Sequence, residues 1–271
     1  MKKILLTLIA AALCLVAAGQ ARITTKSYRL SDFTERITKV VLPGNDIMDT
    51  SIKQAVLDGW RISPFEFCTT EEFKTLKKSS KYYFLLVSNA DVSYLTITRG
   101  GSEEGIGSEE IVSIPLGDGD NFFGRERVFL PAMVEILQDY ILKAMEKEKD
   151  SYAGLSIYNS NYRKDGRLKR ICFSEDDLSS DVDMAAKQKL FDEDMFVSTE
   201  EEADSIFNAA TFNTLVSYVV TPAEPKKGDT CYKMLIDAST LRLFWIKKHK
   251  ISGEGDAGFR KEDLRALSRG R

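Results

Sequence analysis

The chain has 271 residues, a formal net charge of −3, 43% hydrophobic and 29% charged residues, a balance that allows a packed core and argues against a disordered chain. Mild acidity speaks against nonspecific nucleic-acid binding, whose affinity comes from neutralising phosphates. The basic clusters Arg163 to Arg170 and Lys247 to Lys250 are local, and read as solvated loop or strand-end charge.

At the N-terminus, Lys2 and Lys3 precede the apolar run Ile4 to Ala18, and Gly19-Gln20-Ala21 places small residues where a signal peptidase reads. Residues 1–21 are expected to be a signal peptide cleaved after Ala21, which sends the chain to the periplasm or the medium. The run is shorter than the roughly 20 apolar residues of a spanning helix, and no later segment is long and apolar enough to cross a membrane. Leu13 before Cys14 fits poorly with a lipid anchor.

The first unit, residues 22–150, begins with a β-rich run, Ile37 to Leu42, stopped by Pro43-Gly44. The helical spacing of Met48, Ile52, Ala55 and Val56 predicts a helix over Ile47 to Leu57. A strand from Arg61 to Cys68 follows, placed at a sheet edge by Pro64, which cannot donate to a ladder. Thr69 with Glu72 fits the S/T-x-x-E box that opens a helix. Tyr82 to Ser88 reads as a buried strand, with Val92 to Thr98 and Ile111 to Leu116 after it. A long amphipathic helix from Pro131 to about Lys149 closes the unit, with proline in its first turn.

The second unit, residues 151–251, repeats the order: strand Leu168 to Phe173, helix Asp181 to Phe191, strand Met195 to Val197, capped helix Thr199 to Phe207, strand Thr214 to Val220, then strands Cys231 to Ile236 and Leu241 to Lys247. Phe67-Cys68-Thr69-Thr70-Glu71-Glu72 returns as Phe196-Val197-Ser198-Thr199-Glu200-Glu201, so Ser198 with Glu201 is the expected second capping box. Self-similarity at near-fixed spacing marks repeated architecture. The expectation is an α/β chain with mixed α+β sheets: two tandem, internally duplicated β-α-β-α-β-β-β units joined by the long helix. Residues 252–271 read as a polar C-terminal tail, helical or disordered.

Chemistry is sparse. There is no G-x-S-x-G, H-E-x-x-H or G-x-x-x-x-G-K-[ST], so no catalytic residue, metal or cofactor is expected. His249, the single histidine, lies among lysines and reads as an exposed side chain. Gly117 to Asn121 could offer calcium oxygens but reads as a turn. Beyond Ala21 the cysteines are Cys68, Cys172 and Cys231; Cys172 and Cys231 could pair, or all three could be buried thiols. The densest acidic cluster, Glu175 to Asp177 with Asp181 and Asp183, suits a helix start, and keeps an envelope hydrolase using Asp176, Asp177 and Asp181 as the alternative. Ser151 to Arg163 mixes tyrosine, serine, asparagine and glycine, a composition that recurs in binding loops. It nominates Tyr152, Tyr158, Asn159, Asn161 and Tyr162 as ligand contacts, with a strand hairpinned onto Leu168 to Phe173 as the structural alternative.

The pattern Trp60 to Phe67, Glu71 to Lys77 and Tyr82 to Leu86 resembles a group of uncharacterised secreted proteins of Bacteroides-type bacteria. The resemblance implies export and an envelope setting and carries no catalytic residue with it. The expected role is a non-catalytic binding or interaction protein acting through the junction of the units or a sheet edge, its partner and oligomeric state unspecified.

Overall fold

The computed structural model describes residues 30–101, 108–119 and 124–269. The expected signal segment, Gly105 to Gly107 and the Asp120-Asn121 end of the calcium-like turn lie outside them, as does the side chain of Tyr152.

The first unit runs β1 (Ile37–Leu42), α1 (Asp46–Gly59), β2 (Phe65–Thr69), α2 (Thr70–Leu76), β3 (Tyr82–Asn89), β4 (Ser93–Gly100) and β5 (Ser108–Gly117). After α3 (Glu126–Glu146), α4 (Glu148–Ala153) and α5 (Asn159–Lys164) come β6 (Arg170–Ser174), α6 (Met184–Leu190), β7 (Met195–Ser198), α7 (Glu200–Asn208), β8 (Thr214–Val220), β9 (Thr230–Asp237), β10 (Leu243–Lys250) and α8 (Lys261–Ser268). The sheets have the same strand order, β2-β1-β3-β4-β5 and β7-β6-β8-β9-β10. In each, the first three neighbours are parallel and the last two strands add an antiparallel meander. The duplication read from the sequence is therefore a duplication of topology, with Pro64 just outside edge strand β2.

The helix caps depart from the expected register by one residue. Thr69 caps α2 with Glu72 as expected, but Thr199 with Glu202, not Ser198 with Glu201, caps α7. Ser198 is still in the ladder, opposite Ser174, and its hydroxyl lies 3.1 Å from the Cys172 sulfur. A residue held by the sheet there leaves the first orphan amides to the next side chain.

The long helix α3 starts one turn before Pro131, which lies inside it. It does not serve the first sheet alone: α3 packs on α1, β4 and β5 on one side and on α7 on the other. Twelve of its residues are buried, from Glu126 and Phe129 to Tyr140 and Ala144. Phe129 lies 4.3 Å from Tyr218 in a stacked pair and 4.2 Å from Phe207, so one ring joins the helix to the second sheet. A single apolar core runs from Val40, Tyr83 and Ile97 through Met133 and Leu137 to Val216 and Met234.

The far face of the second sheet holds its own core, Ile171, Phe173, Leu215 and Leu235 under Phe259, Leu264 and Leu267. Residues 252–269 are thus no polar tail: α8 covers that sheet face. Gly258, with φ +96, lets this segment approach the turn before α6 closely, since a Cβ there would lie 2.5 Å from the Asp177 carbonyl oxygen. All three described cysteines are free and buried, with no Cys172–Cys231 bond.

Candidate functional site at the junction of the two units

The segment nominated from composition is helical, neither strand nor open loop: α4, a 3-10 turn over Gly154–Tyr158, and α5. Tyr158 is buried and donates to Asp139 at 2.6 Å. Tyr162 is buried and donates to the Leu267 carbonyl at 2.5 Å. Asn159 exchanges two hydrogen bonds with the Ile246 backbone, donating to its carbonyl at 3.0 Å and accepting from its amide at 2.7 Å, and Asn161 donates to the Leu243 carbonyl at 3.0 Å. These amides do for edge strand β10 what another strand would, satisfying groups that otherwise invite foreign pairing. With both rings inside and both amides engaged, the segment clasps the sheet edge and presents no tyrosine faces at Tyr158 or Tyr162. The missed signal was the helical spacing of Leu155, Tyr158 and Tyr162, which share the buried side.

The acidic cluster is equally dispersed. Asp176 is exposed, and Asp181 accepts from Ser179 Oγ at 2.5 Å and from the Lys261 amide at 3.2 Å. Asp183 caps α6 and pairs with Lys261, whose ammonium, with the Ala186 amide, holds its carboxyl below the usual range. Asp177 alone is buried, and it belongs to a different constellation, centred on Arg125.

Arg125 precedes α3 and reaches into the second unit. Its Nη1 donates to Asp177 at 2.9 Å, Nε to Asp204 at 2.7 Å, and Nη2 to the Ser217 carbonyl at 3.1 Å. Ser217 Oγ donates to the same Asp177 oxygen at 2.5 Å and accepts from the Ser174 amide at 3.0 Å. The guanidinium carbon lies 5.1 Å from the Phe129 ring centre and 5.7 Å from that of Tyr218, both inside cation–π range. Burial works against the guanidinium, but Asp177 and Asp204 raise its pKa above the ordinary value. Burial raises the carboxyls of Asp204 and Glu200, and Arg125 offsets only part of the rise. Each guanidinium nitrogen of Arg125 donates a hydrogen bond, so the cluster ties the start of α3 to the Asp177 turn, α7 and β8 of the second unit.

A concavity of ≈ 470 Å³ opens beside it, lined by Gly124, Arg125, Arg127, Val128, Glu200, Asp204 and Asn208. Arg127 and Asn208 are exposed and Glu200 is half-buried on its rim. Sequence reasoning missed Arg125 because a lone arginine beside a glycine has no motif, and its partners lie 52, 79 and 92 positions away.

Elsewhere the units are tied by Tyr94, which donates to Asp91 at 2.7 Å and lies 2.9 Å from the Tyr232 hydroxyl, and by Tyr218, which donates to the Leu116 carbonyl. His249 is half-buried, not exposed as expected: Nε2 sits 2.9 Å from the Asp256 carbonyl, and burial lowers its pKa. No group of histidine, cysteine and carboxylate side chains among the described residues is arranged to hold a metal ion, and no described helix is long and apolar enough to cross a membrane. Comparison with family models, with curated proteins and with solved structures found no match to this chain.

Proposed function

We propose that the chain is an exported, non-catalytic binding protein of the bacterial envelope that engages its ligand at the concavity between its two units. The observation that carries this reading is the Arg125 cluster. Its buried guanidinium hydrogen-bonds through all three nitrogens and Ser217 donates to the same Asp177, an arrangement that suits a rigid platform better than a group poised to activate water or attack a substrate. The rim beside it, with Arg127, Glu200 and Asn208, mixes both charges with an amide, as sites do that orient a polar ligand without chemistry. The hydrolase alternative needs paired carboxylates converging on one bond, whereas Asp176 is exposed, Asp181 is engaged by Ser179 and the Lys261 amide, and Asp177 is held by Arg125.

Export and the envelope setting rest on the Lys2 to Ala21 pattern and on the resemblance of Trp60 to Leu86 to secreted proteins of Bacteroides-type bacteria. A thermal-shift screen of the protein with glycans, peptidoglycan fragments, metals and nucleotides tests the binding role, since a ligand that prefers the folded state raises the melting temperature. A hit that is lost in Arg127→Ala and Asn208→Ala, with their unliganded melting temperatures unchanged, places it at the junction. A hit indifferent to both variants moves the site elsewhere.

A further inference from the structure

The end of the second sheet at which β6, β7 and β8 begin carries the two most exposed large apolar side chains described, Phe212 at 86% and Leu168 at 80% of full exposure. They belong together: the Asn213 side chain donates to the Leu168 carbonyl at 3.3 Å, and the Arg170 amide to the Asn213 carbonyl at 3.0 Å. The turn that holds Phe212 outward is built at a conformational cost, with Ala210 at φ 49 and Asn213 at φ 57 on either side of it. Neither is glycine, and alanine gains nothing from the left-handed region.

Strand order sets what surrounds the pair. On one side, ahead of edge strand β7, lie the exposed acids Asp192, Glu193 and Asp194. On the other side, beyond β8, the β9–β10 turn brings exposed Arg242, and α5, packed on β10, ends in exposed Arg163 and Lys164, with one acid, Asp165, after them. None of these cations forms an ion pair with a described residue. The local cations nearer the centre are already used: Lys169 pairs with Asp237 at 2.8 Å, and Arg170 lies over the Phe196 ring and donates to the Glu193 carbonyl. An apolar centre with acids on one flank and bases on the other is complementary to itself under a two-fold rotation, which sets each acid flank against the base flank of the other copy.

We infer that this strand-start end of the second sheet is an isologous dimerisation surface, with Leu168 and Phe212 of two copies meeting at its centre. The inference is independent of the ligand reading above, which uses the junction. The patch holds fewer side chains than the 20 to 30 residues a side of a standard stable interface, so the dimer is weak, concentration-dependent and salt-sensitive.

Sedimentation equilibrium of the purified protein over a concentration series tests it. The expected mass rises from one to two protomers with concentration, and the dissociation constant weakens about tenfold or more when salt is raised enough to shorten the screening length to a few ångströms. Phe212→Glu should be monomeric throughout while keeping its melting temperature. The decisive arm is charge exchange: Arg163→Glu/Lys164→Glu alone and Asp192→Lys/Glu193→Lys alone should both be monomeric, and an equimolar mixture should dimerise, because only the mixed pair restores both flanks. A wild-type protein that stays monomeric at every concentration, a dimer unaffected by Phe212→Glu, or variants that fail to rescue one another would overturn the inference. Phe212-dependent pelleting of the monomer with vesicles of anionic phospholipid would assign the patch to a lipid surface instead.

Discussion

Replacing Arg125 with leucine removes the cation that pairs with two carboxylates in the seam, Asp177 and Asp204, whose side chains are 6% and 17% exposed. Breaking a buried pair from one side costs about 3–5 kcal/mol, mostly because the stranded charge stays desolvated. For a protein of this size each kcal/mol lowers the melting temperature by about 2–4 °C, so Arg125→Leu should melt about 6–20 °C below wild type. Calorimetry or circular dichroism reads this directly, with Lys74→Ala as control, because the Lys74–Glu71 pair is 59% and 79% exposed and such pairs contribute about 0–1 kcal/mol. The deficit should also shrink on acidification. The Asp204 carboxyl is already raised above 3.8 by burial, with Arg125 pulling it back. A raised folded-state acid favours folding at low pH and loses that contribution as pH rises through the window above 3.8. Removing Arg125 widens that window, so the variant recovers most where Asp204 can take a proton. An Arg125→Leu protein melting within about 2 °C of wild type, the range of an ordinary surface change, would refute the claim that this cluster welds the units.

Thr69→Ala and Thr199→Ala should each destabilise by about 1 kcal/mol in denaturant melts through loss of an N-cap, and Ser198→Ala by clearly less; equal effects at Ser198 and Thr199 would return the cap to its expected position. Gly258→Ala should cost about 1–3 kcal/mol, since its φ is left-handed, and a neutral result would mean that the 258–259 segment does not lie against Asp177. Asp263→Ala strands the fully buried Lys233 and should cost about 3–5 kcal/mol in the same melts. The Asp263 carboxyl, although burial pushes it up, is held below 3.8 by Lys233 and Lys247, so its contribution is complete above 3.8 and is lost as pH falls through the lowered value. Burial raises the pKa of the thiols of Cys68 and Cys172 and takes Cys231 to about 11, so alkylation followed by mass spectrometry should modify them only in denaturant; rapid labelling of Cys172 or Cys231 in the native protein would contradict their burial.

Strands and the Thr69 cap were legible in the sequence because they are written locally. Ile37 to Leu42 and Tyr82 to Ser88 carry their own β-rich runs, Thr69 and Glu72 sit three residues apart on one helix turn, and Pro64 marks an edge by what it cannot donate. Helix starts were legible only to within a turn, and other misses depend on contacts made across the chain. Pro131 read as a helix start because its own propensity favours that place, yet α3 begins at Glu126, whose carboxylate accepts from the Gly124 amide at 2.8 Å. Asn159 and Asn161 read as adaptable binding amides, but the strand residues they serve lie 87 and 82 positions away. Lys233, inside the expected strand Cys231 to Ile236, is fully buried and paired with Asp263 of the expected tail. Asn159, Asn161 and Lys233 are polar residues whose partners lie far along the chain, and no local pattern records such a pairing.

The two halves share a strand order but cover their sheets differently, and that difference bears on where binding can evolve. Their inner faces meet on α3 in one continuous core, so neither can change there without disturbing the other. The outer face of the second sheet is closed by Phe259, Leu264 and Leu267 of the C-terminal segment. Among the described residues the equivalent face of the first unit carries the short α2, a helix with no buried residue, over a small cluster of Val41, Cys68 and Phe84. On β3, β4 and β5 the same face carries a ladder of hydroxyls, Ser88 to Thr96 at 2.7 Å and Thr96 to Ser113 at 3.0 Å, where the second unit packs Leu215 and Leu235 beside the buried Lys233–Asp263 pair. A duplicated fold that fixes its inner faces in a common core leaves its outer faces, seam rim and strand ends as the surfaces free to diverge. The Arg127, Glu200 and Asn208 rim and the Leu168 and Phe212 end are both of that kind.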